Sequence, residues 1–348
     1  MAKGRIASSC CLILSMLELV RERLVSHFQT FLVGSLVGLL GFTLVGMLYA
    51  GIARRRSGRM ASARVLLADV FPRQMYSGPT ARMDMVNYLP TNLLVRPALD
   101  VIVLILVIAL GGELATLLAA ALRQGFGPAL VLSLPTYWIV LVQVVFTFLG
   151  SEFGFYIFHR LEHENPILWR IHAVHHSAEK LNFFTSNRDH PVETILITFA
   201  RIFGVGLFLG IVLYLGGLKL LPQTFFFASV YSVCIHGFYA GHSHSHLPIS
   251  FGPVLNVLIG GPVMHQIHHS AEDHMFNRNY GMATNIYDWL FGTLYMPRAG
   301  EVYRWGLNDL EYGARNPHQT VQDFYLKPVL EAMATARTGF RNLLQRWI

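Results

Sequence analysis

The stretch FQTFLVGSLVGLLGFTLVGMLYAG, residues 28–51, constrains this chain more than any other. It carries no charge and exceeds the roughly 20 residues a helix needs to cross the hydrocarbon core of a bilayer. Further apolar runs follow, and only 14% of residues are charged while 53% are hydrophobic. Soluble domains carry about 25% charged residues. The fold expected is therefore all-α, an integral membrane helical bundle. The net charge of +7 does not mark a nucleic-acid binder, because the excess arginine is concentrated in one loop. Arg54, Arg55, Arg56, Arg59, Arg64, Arg73, Arg82 and Arg96 stand there against Asp69 and Asp84. Such an excess beside a span favours the cytoplasmic side.

Four more spans are expected. The second lies near residues 98–122, but Glu113 would be costly at the bilayer centre, so the span is expected to start earlier and to end by Leu110, with Gly111–Gly112 turning the chain. The third covers 129–150, kinks at Pro135, and continues as helix to about His163, where Glu164-Asn165-Pro166 stops it. The fourth (202–215) and fifth (225–239) are short and read as a hairpin dipping into the bilayer. Gly34 and Gly38 give GxxxG spacing, a helix-contact pattern. The first 24 residues read as an interfacial segment rather than a cleaved signal, since charged Glu18, Arg21, Glu22 and Arg23 follow the short apolar stretch. The three cysteines form no framework. If each hairpin returns the chain to its starting side, the segments after Gly150 and after Ala240 meet on one face, on the side of the arginine loop.

Those two segments hold the histidines. FHRLEHE gives His159 and His163; IHAVHHS gives His172, His175 and His176; GHSHSHLP gives His242 and His246 around His244; MHQIHHS gives His265, His268 and His269. On a helix, residues three and four apart share a face, while adjacent residues diverge by about 100°. Each HxxHH therefore offers imidazoles in two directions. One tetrahedral site needs about four ligands. The histidine supply exceeds that and fits two ions. The ten expected ligands are His159, His163, His172, His175, His176, His242, His246, His265, His268 and His269. His190 is a further candidate, whereas His236 and His244 read as polar residues of the bundle, and His27, His274 and His318 as incidental. All-nitrogen ligation suits zinc, copper, iron or nickel, and spacing alone does not choose. HRLEH is not the zinc-protease HExxH, because Glu162 precedes the second histidine rather than following the first.

The three boxes and the His242/His246 pair resemble the fatty acid hydroxylase/sterol desaturase superfamily of integral-membrane di-iron enzymes. LWRIHAVHHSAEKLNFFTSNRDHPVE and NRNYGMATNIYDWLFGTLY are also similar to bacterial sterol-desaturase-like members. The resemblance covers residues 149–294. It implies two iron ions, O2, and electrons from an external donor such as a cytochrome b5-type protein, a ferredoxin or a reductase. It implies a histidine-rich di-metal helical domain facing the cytoplasm, a lipid substrate, hydroxylation or desaturation of a C–H bond, and a bacterial inner-membrane location. One branch, the alkylglycerol monooxygenases, uses tetrahydrobiopterin; the His190-Pro191 pair departs from it. A membrane metal transporter or metal-storage protein is the rival from another class, although a transporter's ligands should sit mid-span.

The chain divides into membrane helices with the basic loop (1–148), the hydroxylase-like domain (149–295, with the hairpin at 202–240) and a tail (296–348) whose end reads as a basic amphipathic helix. Glu152, Glu162, Glu179, Asp189, Glu193, Asn279 and Asp288 are candidates to orient the imidazoles. Arg160, Arg170 and Arg188 are expected to pair with these acids or with lipid phosphates, and Phe183, Phe184 and Phe226 to line an apolar substrate site.

Overall fold

A computed structural model describes residues 28–29, 32–33, 35–92, 106, 110–129, 132–298, 300–307, 312 and 316–345, with the backbone alone at 229, 231–240 and 343–345. The expected interfacial segment at the N-terminus, His27, Gly34, the His236 side chain and the first half of the second span lie outside these. Among the described residues the chain is helical, with no strand. The helices are α1 (Ser35–Arg56), α2 (Ala63–Val70), α3 (Pro79–Pro90), α4 (Gly112–Phe126), α5 (Thr136–Glu164), α6 (Pro166–His176), α7 (Pro191–Leu215), α8 (Pro222–Ser243), α9 (Pro253–Leu258), α10 (Pro262–His268), α11 (Ile286–Phe291), α12 (Val321–Tyr325) and α13 (Lys327–Gln345).

Three of them, α1, α5 and α7, are long and apolar enough to cross a membrane. Helix α7 corrects the expectation of a short fourth span: it has 25 residues and starts at Pro191. Arg201 interrupts its apolar run in sequence, but in space its Nη1 donates to Glu152 Oε1 of α5 at 2.7 Å and its guanidinium lies 4.5 Å from the Phe155 ring. A charge supplied with a partner by the next helix need not end a span. Pro135 does not kink α5 but precedes its first residue, where the missing N–H costs nothing. Gly111 and Gly112 do not turn the chain either; the backbone is helical through both.

Helices α5 and α7 are held together by small residues. A Cβ built on Gly150 would lie 2.4 Å from Gly204 O, and one on Gly154 2.0 Å from Ala200 O. Backbones can approach this closely only where no side chain intervenes, which is how membrane helices pack without a hydrophobic drive between them. On the other side of α7, Val205, Leu209, Val212 and Leu213 bury against Ala115 and Ala119 of α4. The Gln143 side chain fixes the turn from α7 to α8, donating to Lys219 O at 2.8 Å and accepting from Leu221 N at 3.2 Å. Helices α5 and α8 end, and α7 begins, at the same end of this bundle, and the histidines gather there. Phe183 and Phe184 pack into an aromatic cluster with Phe42, Tyr76 and Tyr88, whereas Phe226 is exposed.

Candidate metal centre

His159 and His163 occupy the last two turns of α5. The chain then reverses at once, because Asn165 Oδ1 accepts from Ile167 N at 2.9 Å and caps α6, with Pro166 at its first position. The reversal lays His172, His175 and His176 of α6 beside the end of α5. Helix α10 and its cap supply His265, His268 and His269. The last contributor is His244, which caps α8.

The side chains sort into two groups. His159, His163, His172, His176 and His268 bring one nitrogen each within 4.8 Å of one another, as do His175, His244, His265 and His269. Both HxxHH boxes split: His175 and His176 face different groups, as do His268 and His269. The groups adjoin, with the His176 and His269 rings 4.4 Å apart.

The nitrogens have the spacing of ligands. His172 Nε2 lies 3.1 Å from His159 Nε2 and 3.0 Å from His163 Nε2. In the second group, His244 Nε2 lies 3.3 Å from His175 Nε2 and 3.0 Å from His265 Nε2, which is 3.0 Å from His269 Nε2. Metal–imidazole bonds of about 2.0–2.1 Å place neighbouring ligand nitrogens roughly 2.9–3.4 Å apart. The tautomers agree. His159 Nδ1 donates to Tyr280 O at 2.7 Å and His268 Nδ1 to Arg278 O at 2.9 Å. A carbonyl only accepts, so the proton sits on Nδ1 and the lone pair on Nε2 points into the group. Buried His176 Nε2 and His268 Nε2 have no hydrogen-bond partner. Burial first, and then neighbouring imidazoles, hold His176, His265 and His269 well below the ordinary 6.5, and burial and His159 do the same for His268. Burial thus disfavours the protonated form of these four imidazoles, and a cation would satisfy the lone pairs crowded together there. The two groups can hold two metal ions.

Three expectations change. His242 and His246 join neither group, and His244 stands in the second group instead. Helix α8 ends at Ser243, so the i,i+4 relation between His242 and His246 does not exist. His246 Nε2 donates instead to Asp69 O at 2.9 Å, and the His242 ring packs 5.2 Å from Phe42. His190 uses both nitrogens elsewhere: Nδ1 accepts from Val192 N at 3.1 Å and Nε2 donates to Tyr325 O at 3.0 Å. The signal for His244 was present, since Pro248 disfavours helix at Leu247 and the SHSHLP text favours a turn.

Around the groups, Glu193 Oε1 accepts from His172 Nδ1 at 2.9 Å and Asp189 Oδ1 lies 2.8 Å from His175 Nδ1. Glu162 Oε2 lies 3.7 Å from His172 Nδ1. Glu152 pairs with Arg201 and accepts from Ala283 N, while Glu179 is exposed. Arg160 pairs with Glu164 and Arg188 with Asp84, neither of them an acid singled out from the sequence. Asn279 and Asp288 build the loop whose carbonyls hold His159 and His268. Buried Asp288 accepts from Tyr280 N and Gly281 N, both at 2.8 Å, and from Asn285 and Thr293. Asn279, at φ 54°, bonds Met264 O and the Tyr295 backbone. Asp288→Ala should therefore lower the thermal midpoint and shed metal from the first group, since each buried donor left unpaired costs about 1–3 kcal/mol. Thermal unfolding with elemental analysis reads both; an unchanged midpoint would refute the loop's role.

A family model for fatty acid hydroxylase matches residues 144–293, which include every histidine of both groups. Residues 144–293 belong to the fatty acid hydroxylase family. Among the relatives of this segment is an ornithine lipid hydroxylase of Rhizobium tropici, 34% identical over 47% of this chain and 45% of its own length. An alkylglycerol monooxygenase of Homo sapiens is 29% identical over 45% of this chain and 31% of its own. A very-long-chain aldehyde decarbonylase of Oryza sativa subsp. indica is 30% identical over 51% and 61% respectively. The chain thus covers only 31–61% of the length of these curated relatives. No solved structure matches it.

Proposed function

We propose that this protein is a membrane-bound non-haem di-iron oxygenase that inserts oxygen into, or desaturates, a C–H bond of a lipid. The observation that carries the reading is the pair of adjoining all-imidazole groups at the end of an apolar helical bundle. The activities after which the relatives are named, lipid hydroxylation and monooxygenation among them, support it and favour hydroxylation. Iron supplies the activation of O2 that a C–H bond otherwise resists. Hydroxylation balances as RH + O2 + 2 electrons + 2 protons giving ROH + H2O, so an external electron donor is required. The chain's own residues hold the metals with neutral nitrogens, fix those nitrogens through Nδ1, and surround them with apolar helices that a lipid can enter from the bilayer. The arginine-rich loop supports a cytoplasmic face, and the likeness to a Rhizobium tropici enzyme supports a bacterial inner-membrane location.

A second reading, an ether-lipid monooxygenase reduced by a pterin, draws on the matches to alkylglycerol monooxygenases. The purified protein is expected to contain two irons per chain, and lipids from producing cells grown under labelled O2 to gain one labelled hydroxyl. A product two hydrogens lighter and unlabelled indicates desaturation. Turnover only with reduced pterin and an alkylglycerol indicates the second reading. One zinc per chain with activity indifferent to iron would sink both.

A further inference from the structure

We propose that Asp189 and Glu193 are positioning residues, one for each metal ion, carried on a strap that the C-terminal segment clamps in place. The inference rests on the two-ion reading above. Glu193 accepts a hydrogen bond from Nδ1 of His172, whose Nε2 faces the first group; Asp189 Oδ1 lies 2.8 Å from Nδ1 of His175, at ion-pair distance but off hydrogen-bond alignment, and His175 Nε2 faces the second. The two carboxylates are themselves close, with their oxygens and a His175 nitrogen all within 4.8 Å of one another. A carboxylate behind a ligating imidazole fixes its ring and raises its basicity. Here neighbouring carboxylates serve neighbouring ions.

The residues between them act as anchors. Arg188 is buried; its Nε donates to Val174 O at 2.9 Å and its Nη2 to Ser177 Oγ at 2.8 Å, both at the end of α6. Its other bonds leave the hydroxylase segment's first half: Nη1 pairs with Asp84, and Nη2 donates to His318 O at 3.2 Å. His190 caps α7 through Nδ1 and reaches Tyr325 O through Nε2. Asn316 Nδ2 also donates to Ser177 O. Along Arg188–Glu193, then, the side chains of 188 and 190 hold the strap to the body and to residues 316–325, while 189 and 193 meet the imidazoles. The clamp lies outside the stretch that matches the family model, 144–293.

The test is the anaerobic release of Fe(II) from the two-iron protein to a chromogenic chelator. Wild-type protein should release both ions slowly. Asp189→Asn should release one ion about 10- to 100-fold faster and leave the other unchanged, and Glu193→Gln should do the same to the opposite ion. The His244→Ala background, which retains the first-group ion, assigns them: there Glu193→Gln accelerates release and Asp189→Asn does not. His190→Asn keeps the cap but is too short to reach Tyr325 O, and should quicken both ions by a smaller factor. Should Glu193→Gln fail to accumulate, Glu193→Asp keeps the charge, withdraws the carboxylate by one methylene and is expected to act alike. Release rates unchanged in the single variants, or both ions quickened equally by each, would overturn the strap while leaving the two-ion reading standing. Wild-type protein that takes up fewer than two ions would overturn both.

Discussion

His244→Ala is expected to leave the protein with one metal ion in place of two and to cut activity by more than the roughly 100-fold that loss of an outer hydrogen-bond partner costs. His242→Ala and His246→Ala should keep both ions. The three histidines alternate in GHSHSHLP, so the contrast is between close neighbours of one residue type. His244 Nε2 stands 3.0–3.3 Å from the nitrogens of His265 and His175, at the spacing of ligands on a common ion. His246 spends its Nε2 on Asp69 O, and His242 packs on Phe42. The His242 variant should show the ordinary cost of a buried substitution, about 0.5–3 kcal/mol, in thermal unfolding, with its metal content intact. Elemental analysis of the three purified variants decides the matter. If His242→Ala or His246→Ala loses an ion and His244→Ala does not, the second group has been drawn around the wrong residue.

The histidine boxes were legible because their geometry is local. An HxxxH or HxxHH inside a helix fixes which imidazoles face together, and both boxes split between two groups as that spacing requires. The 242/246 pair was misread for the complementary reason: the same spacing means nothing once the helix has stopped, and α8 stops at Ser243. Span lengths were misread where a charge found its partner on another helix, as Arg201 does on Glu152. No local pattern announces such a pair. Asp189 and Glu193 were legible as candidates to orient imidazoles, but the contacts that anchor the residues between them were not: Arg188 meets His318 O at a separation of 130 residues, and His190 reaches Tyr325 through a backbone carbonyl, which every residue has. The placement of the ligands at helix ends, rather than in the middle of α5 or α7, also agrees better with an enzyme than with a transporter, whose ligands belong near the midplane.

Gly154→Ala is expected to prevent accumulation of folded protein, or at least to exceed the upper end of ordinary overpacking costs, about 3 kcal/mol. A Cβ there would lie 2.0 Å from Ala200 O, 2.6 Å from its carbonyl carbon and 2.8 Å from Arg201 Cα, all backbone atoms. Side chains can change rotamer to admit a methyl group, but the backbone of a packed helix cannot move alone. Helices α5 and α7 must part as rigid bodies, and each carries a side chain that builds or supports the first group. His159 lies just beyond Gly154 on α5, and Glu193, which orients His172, lies on the first turn of α7. Loss of metal should therefore accompany loss of fold. Gly38→Ala is the control. It belongs to the GxxxG pair most visible in the sequence, yet its nearest neighbour is a Phe183 ring atom at 3.8 Å, an ordinary contact. That variant should stay within about 0.5 kcal/mol of wild type. Size-exclusion profiles in detergent, thermal midpoints and iron content of the two variants provide the comparison. A folded, two-iron Gly154→Ala protein would show that α5 and α7 do not pack as closely as these glycines allow.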